Sequence, residues 1–81
     1  MSVEIKIPRF DPAMKTAIIV EWLKKEGDAV REGQPIATLE GEKTTFELKA
    51  RQALIVEEIL YSEGSEVEVG VTIALGQISE T

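Results

Sequence analysis

The sequence predicts an all-β fold, a sandwich of two sheets related by an internal pseudo-twofold repeat. Two observations predict it. Short apolar runs rich in β-branched residues are punctuated by Gly- and Pro-containing turns, and much of the pattern recurs after a shift of 37 residues.

Taken in order, Val3, Ile5 and Ile7 alternate with Glu4 and Lys6, which predicts a half-buried first strand ending before Pro8. Phe10-Asp11-Pro12-Ala13 reads as a loop. Ala17 to Leu23 is an apolar, β-branched run, short for a helix and suited to a strand. Glu26-Gly27-Asp28 and Arg31-Glu32-Gly33-Gln34-Pro35 are turns. Ile36 to Leu39 is a strand, Glu40-Gly41-Glu42-Lys43 a turn, and Thr44 to Lys49 a strand with Phe46 and Leu48 on one face. Then come a strand over Leu54 to Leu60, a turn at Glu63-Gly64, a short strand at Val67, a turn at Gly70, and a strand over Ile73 to Leu75.

The recurrence is specific. Ile18, Glu21, Leu23, Glu26, Gly27, Val30, Gly33, Ile36 and Ala37 fall on identical residues 37 positions later, nine identities in twenty ungapped positions. Two copies are too few for a solenoid, which needs about three or more stacked repeats. They suffice for two sheets that cover each other's apolar faces. Glycines 27 and 64, and again 33 and 70, supply the bends.

Composition narrows function. Eighty-one residues make one domain, expected to span 1–81 with a core over about 3–76 and a tail or linker from Gln77. The chain has no Cys and no His, which removes Ser-His-Asp and Cys-His catalysis, disulfides and the common zinc ligands. No catalytic residues and no metal site are expected. Residues 1–53 carry nine basic and nine acidic side chains, whereas 54–81 carry six Glu and no Lys or Arg, for a net charge of −6. Nucleic acid, which needs a basic stripe, is not an expected partner. No apolar run approaches the roughly 20 residues of a membrane span, and the N-terminus has no signal-peptide apolar region. No glycine cluster forms a phosphate cradle. A soluble, cytoplasmic domain, monomeric in isolation, is the expectation; no transit peptide for the mitochondrial matrix is seen.

One position stands apart. The link between the two halves is the stretch Glu40 to Thr44, and it holds Lys43. A lysine at the tip of a tight hairpin has no core to pack against, and nothing desolvates its amine toward catalysis. The same exposure makes it a good substrate for an enzyme that acylates lysines. The plain alternative is a turn lysine that aids solubility.

These residues resemble the lipoyl domains of dihydrolipoamide acyltransferases, the E2 components of 2-oxo acid dehydrogenase complexes, in the biotinyl/lipoyl attachment family. The similarity runs from Pro8 to about Leu75. It is strongest over Ile19-Val20-Glu21-Trp22-Leu23-Lys24-Lys25-Glu26-Gly27-Asp28-Ala29-Val30, Gly33-Gln34-Pro35-Ile36-Ala37 and Glu40-Gly41-Glu42-Lys43-Thr44-Thr45-Phe46-Glu47-Leu48. The resemblance implies a flattened barrel of two four-stranded sheets, the lipoyl/biotinyl carrier fold. It implies lipoic acid in amide linkage on Lys43, attached by a lipoate ligase or lipoyl transferase. The arm would carry acyl groups and electrons between the decarboxylase (E1), the acyltransferase core (E2) and dihydrolipoamide dehydrogenase (E3), in a domain that is a carrier and not an enzyme. Glu40 and Gly27 match the family's positions for recognition by the modifying enzymes, Glu42 keeps the acid before the lysine, and Thr44 follows it. Phe10 and Met14, in the first loop, either cap the barrel or contact the decarboxylase beside the arm.

The sequence departs from the family at Gly41, where Thr is usual, at Ala17 and Leu54, where Gly is usual, and at Arg51, where Pro is usual. Leu54 and Gly41 support an alternative, a non-lipoylated docking module on the same scaffold. A biotinyl carrier is a further alternative. Ala13-Met14-Lys15 mimics the start of a biotin signature but lies in the first loop, and Lys43 itself is flanked by Glu42 and Thr44 rather than by methionines. The lone Trp22 is expected to pack with its N–H near solvent.

Overall fold

The computed structural model describes residues 2–78 and contains eight strands and no helix. They are β1 (Ser2–Lys6), β2 (Thr16–Trp22), β3 (Ala29–Val30), β4 (Pro35–Glu40), β5 (Thr45–Lys49), β6 (Leu54–Ile59), β7 (Glu66–Glu68) and β8 (Thr72–Ile78). One antiparallel sheet has the order β1-β8-β6-β3 and the other β5-β4-β2-β7. Exchanging β1–β4 with β5–β8 converts one sheet into the other, which is the pseudo-twofold expected from the repeat. Each sheet takes two strands from each half, so neither half folds into a sheet by itself.

The symmetry extends to single hydrogen bonds. Gly27 N–H donates to the Val56 carbonyl and Gly64 N–H to the Ile19 carbonyl, both at 2.7 Å. These glycines adopt φ of 94° and 90°, a region that side chains with a Cβ rarely enter. Trp22 N–H donates to the Glu63 carboxylate at 2.9 Å, and Ile59 N–H to that of Glu26 at 2.8 Å. The two repeats therefore clamp one another reciprocally across the axis.

Sixteen side chains form the core between the sheets, with Ile19, Leu39, Ile36, Ile73 and Val56 almost wholly enclosed. Four register shifts, in two pairs related by the repeat, break strict alternation, and the pair at β2 and β6 alters the outer face. The β2–β4 pairing shifts register between Ile19 and Glu21, and the β6–β8 pairing between Val56 and Glu58. These bulges leave Val20 and Glu21 both exposed, and likewise Glu57 and Glu58, where plain pleating would send one of each pair inward.

The last strand is longer than the sequence suggests. The sequence predicts a strand over Ile73 to Leu75 and a tail from Gln77, yet Gln77 pairs with both Ser2 and Ile55, and Ile78 with Leu54, so the strand runs on through Ile78. Residues 79–81 of that expected tail lie outside the described residues. A Cβ on Gly76 would stand 3.1 Å from Leu54 Cδ1 and 3.4 Å from Val3 Cγ2, so the glycine is there for close approach and not for a turn.

Candidate functional site

The hairpin between β4 and β5 joins the two repeats. Glu40 pairs with Thr45, and Gly41 N–H donates to the Thr44 carbonyl at 2.8 Å, closing a four-residue turn with Glu42 and Lys43 at its tip. Glu42, Lys43 and Thr44 are exposed, as is Glu40 at the base. The Lys43 amine makes no ion pair among the described residues, where the sole salt bridge is Lys6–Glu4 at 3.4 Å. A primary amine held on rigid strands and free of partners suits covalent acylation and offers nothing for general-base chemistry. Thr44 donates its hydroxyl to the Thr45 carbonyl at 3.3 Å, which stiffens the second arm of the turn.

The first loop packs beside this hairpin and is built to hold its shape. Ala13 N–H donates to the Asp11 carboxylate at 3.0 Å, and the Arg9 guanidinium donates to the carbonyls of Pro12 and Met14 at 3.1 and 2.8 Å. Met14 and Phe10, paired in the sequence reading, separate here. Met14 is 2% exposed, and its sulfur lies 3.5 Å from where a Cβ on Gly41 would stand. It plugs the barrel beneath the hairpin, the first of the two roles the sequence allowed, because the loop folds its thioether inward. Phe10 is 60% exposed and stacks on Phe46 of β5, with ring centroids 4.1 Å apart and planes 7° from parallel. It stands beside the hairpin as an apolar surface open to solvent.

Gly27 lies in a turn away from the hairpin. Its N–H serves Val56 in the opposite sheet, and it is Gly64, its repeat mate, that serves Ile19 beside the hairpin strands. Leu54 is 3% exposed and pairs with Val30 and Ile78 in the sheet opposite the hairpin. Its methyl groups fill the space over Gly76. At the related positions Ala17 and Leu39 reverse the sizes, so the departure from glycine at 54 goes with a repacking of the core. Gly41 does not have a positive φ, and its turn is closed by a hydrogen bond.

An open groove of about 610 Å³ crosses the start of β2 beside the hairpin, lined by Lys15, Thr16, Ile18, Glu40, Glu42 and Glu66 among others. Sequence reasoning missed it, because Glu66 meets β2 only through the pairing of Thr16 with Glu68 and Ile18 with Glu66. Thr16 donates its hydroxyl to the Glu66 carboxylate at 2.9 Å. No group of three or more Cys, His, Asp or Glu among the described residues is arranged to hold a metal ion. Trp22 donates its indole N–H to the Tyr61 carbonyl at 2.9 Å.

Comparison with known proteins agrees with this geometry. The Biotin_lipoyl family, described as "Biotin-requiring enzyme", matches residues 3–75. The chain is 41% identical over 78 residues, 96% of its length, to the dihydrolipoyllysine-residue acetyltransferase component of the pyruvate dehydrogenase complex of Zymomonas mobilis. It is 39% identical over 72 residues, 89% of its length, to the succinyltransferase component of the 2-oxoglutarate dehydrogenase complex of Staphylococcus saprophyticus. In both cases it spans 17% of the relative's length. The solution structure of the lipoyl domain of the 2-oxoglutarate dehydrogenase complex from Azotobacter vinelandii superposes with a TM-score of 0.74 at 29% identity, over 96% of both chains. With two interlocked four-stranded sheets, a lysine at the hairpin between the repeats and similarity along nearly its whole length, the chain belongs to the Biotin_lipoyl family as a domain of the lipoyl type.

Proposed function

We propose that the chain is a swinging-arm carrier domain, with a lipoyl group in amide linkage on Lys43 that shuttles acyl groups and electrons among the E1, E2 and E3 active sites of a 2-oxo acid dehydrogenase complex. The observation that carries this reading is the unpartnered Lys43 amine at the tip of the hydrogen-bonded turn that joins the repeats. The parent chain on this reading is an acyltransferase (E2), and the domain contributes no catalysis of its own.

The residues fit the group. Lys43 presents its amine clear of the barrel, so an acyl chain attached there meets no wall. When bound, the group would supply a redox-active disulfide that accepts acyl groups. Everything else falls to the protein. Strands β4 and β5 fix the pivot, the Gly41–Thr44 hydrogen bond keeps the turn in one geometry, and the carboxylates of Glu40 and Glu42 mark the lysine for the modifying enzyme. Phe10, on its braced loop, provides an apolar contact for the decarboxylase that must approach the arm. A rigid pivot with a free arm keeps the carried group at high effective concentration near each active site. Lys15 is exposed in the first loop and not at the hairpin, so the biotin-like tripeptide around it sits in the wrong place for an arm shared among active sites.

The test is acyl transfer from a 2-oxo acid by an E1 decarboxylase to the lipoate-loaded chain, followed by intact mass. An acyl increment is expected on the wild type and none on Lys43→Arg. Phe10→Ala is expected to slow the transfer several-fold without changing loading. An increment on Lys43→Arg would place the arm elsewhere and overturn the reading.

A further inference from the structure

The internal repeat provides a control that most domains lack. A feature required by the barrel should appear at both related positions, and a feature present at only one is not required by it. The edge strands β1 and β5 pass as structural. Their equivalence, set by Ser2↔Gln77 against Thr45↔Glu40, places Glu4 with Glu47 and Lys6 with Lys49. Charges alternating along both open edges discourage edge-to-edge aggregation and need no other explanation.

The flank of the Lys43 hairpin fails the same comparison. Shifted by 37 residues, Glu40 corresponds to Gln77, Glu66 to Ala29, Thr16 to Ala53, and Val20 to Glu57. The groove beside Lys43 is therefore acidic and continues onto an apolar stripe, Ile18 at 36% and Val20 at 46% exposed, whereas its twofold mate has lost both carboxylates and replaces Val20 by glutamate. The first loop shows the same asymmetry. The repeat offset is 43 residues at the strand before it and 37 at the strand after, so this connection is six residues longer than its counterpart after β5. The extra length forms the loop that carries Phe10 to the hairpin. The asymmetries gather around Lys43.

We propose that the β2–β7 flank, with Ile18 and Val20 framed by Glu40 and Glu66, is a docking surface for the enzyme that acylates Lys43, and that this enzyme meets it with a basic rim around an apolar contact. The inference rests on the reading of Lys43 as the attachment site. Two arguments select this occupant over the enzymes that later act on the loaded arm. Before loading, the amine stands only a lysine side chain away from the turn, so the enzyme must close onto the hairpin itself. A stable interface covers about 800 Å² per partner, more than a hairpin tip provides, and the adjoining groove is the surface at hand. Charge gives the second argument. Glu40, Glu42 and Glu66 outnumber Lys15 in the groove, on a chain of net charge −6, and an electropositive rim would speed encounter.

The test is steady-state lipoylation of the 81-residue chain by a lipoate ligase with lipoate and ATP, followed by intact mass at several salt concentrations. Glu66→Gln keeps an acceptor for the Thr16 hydroxyl and removes the charge. Val20→Glu installs the residue found at the related position. Each is expected to lower kcat/KM three- to tenfold, through KM and not kcat, and Glu66→Gln is also expected to flatten the salt dependence. Glu57→Gln, on the opposite sheet, removes an equal charge and is expected to change nothing. Unchanged kcat/KM in both flank variants, or an equal fall in Glu57→Gln, overturns the docking surface while leaving Lys43 as the attachment site. A wild-type chain that the ligase leaves unmodified overturns the attachment reading instead, and the docking surface with it.

Discussion

Replacing Lys43 by arginine keeps a solvated cation at the turn and removes the primary amine. Because the side chain is exposed and makes no ion pair among the described residues, Lys43→Arg is expected to shift stability by no more than about 0.5 kcal/mol in urea unfolding while abolishing acylation. Leu54 behaves in the opposite way. It is a core residue seated over Gly76, so Leu54→Gly should cost about 3–5 kcal/mol through the cavity and the added backbone freedom, and should not improve lipoylation. Urea unfolding and a loading time course on the same variant separate the two effects. From the sequence, Leu54 could be seen only as a departure from a familiar glycine, because its partner Gly76 is 22 positions away. Lys43 was legible because it lies in the one stretch, Glu40 to Thr44, that links the two copies of the repeat. Phe10 and Met14 were legible as a pair but not as opposites, since which side chain turns inward depends on hydrogen bonds from Arg9 and to Asp11 that no periodicity reports.

Among the elements, the hairpin turn allows a sharp expectation. A Cβ at Gly41 would meet Met14 Sδ and the Thr44 carbonyl at 3.5 Å and Phe46 Cε1 at 3.7 Å, all ordinary contacts, and the backbone does not require glycine. Gly41→Ala should therefore stabilise the domain by about 0.4–1 kcal/mol, mainly by restricting the unfolded chain, and differential scanning calorimetry would register the rise in Tm. The carboxylate clamps act between elements. Glu63→Ala removes the acceptor for Trp22 N–H and should cost about 1 kcal/mol, with Glu63→Gln recovering most of it; Glu26 should behave alike toward Ile59. Both glutamates were among the nine identities of the repeat, so the signal was present in the sequence although its geometry was not. The bulges at Val20 and Glu57 had no such signal. A strand read with plain alternation assigns their neighbours to the wrong face, because the extra residue is set by cross-strand packing and not by local composition.

At the scale of the molecule, the fold was more legible than the site. Turn residues, β-branched runs and a 37-residue echo constrain two interlocked sheets strongly, since few topologies satisfy a twofold repeat of short strands. The flank beside Lys43 was not legible, because it is assembled from Glu40 and Glu66 on strands that neighbour β2 from opposite sides. The same interlocking makes the domain a single cooperative unit. Strand β1 pairs with β8, more than sixty residues later in the chain, and half of each sheet comes from each repeat. The hairpin with Lys43 stands beside the start of β2, in the sheet opposite the one in which Ser2 and Gln77 pair.

The central claim, a lipoyl arm on Lys43, is tested most directly by intact mass and peptide mapping of the chain after expression with lipoate and a lipoate ligase, beside a lipoylated control domain. The account predicts a single lipoyl increment confined to the peptide that contains Lys43. A biotin increment, an adduct on another lysine such as Lys15, or an unmodified Lys43 beside a fully modified control would contradict it.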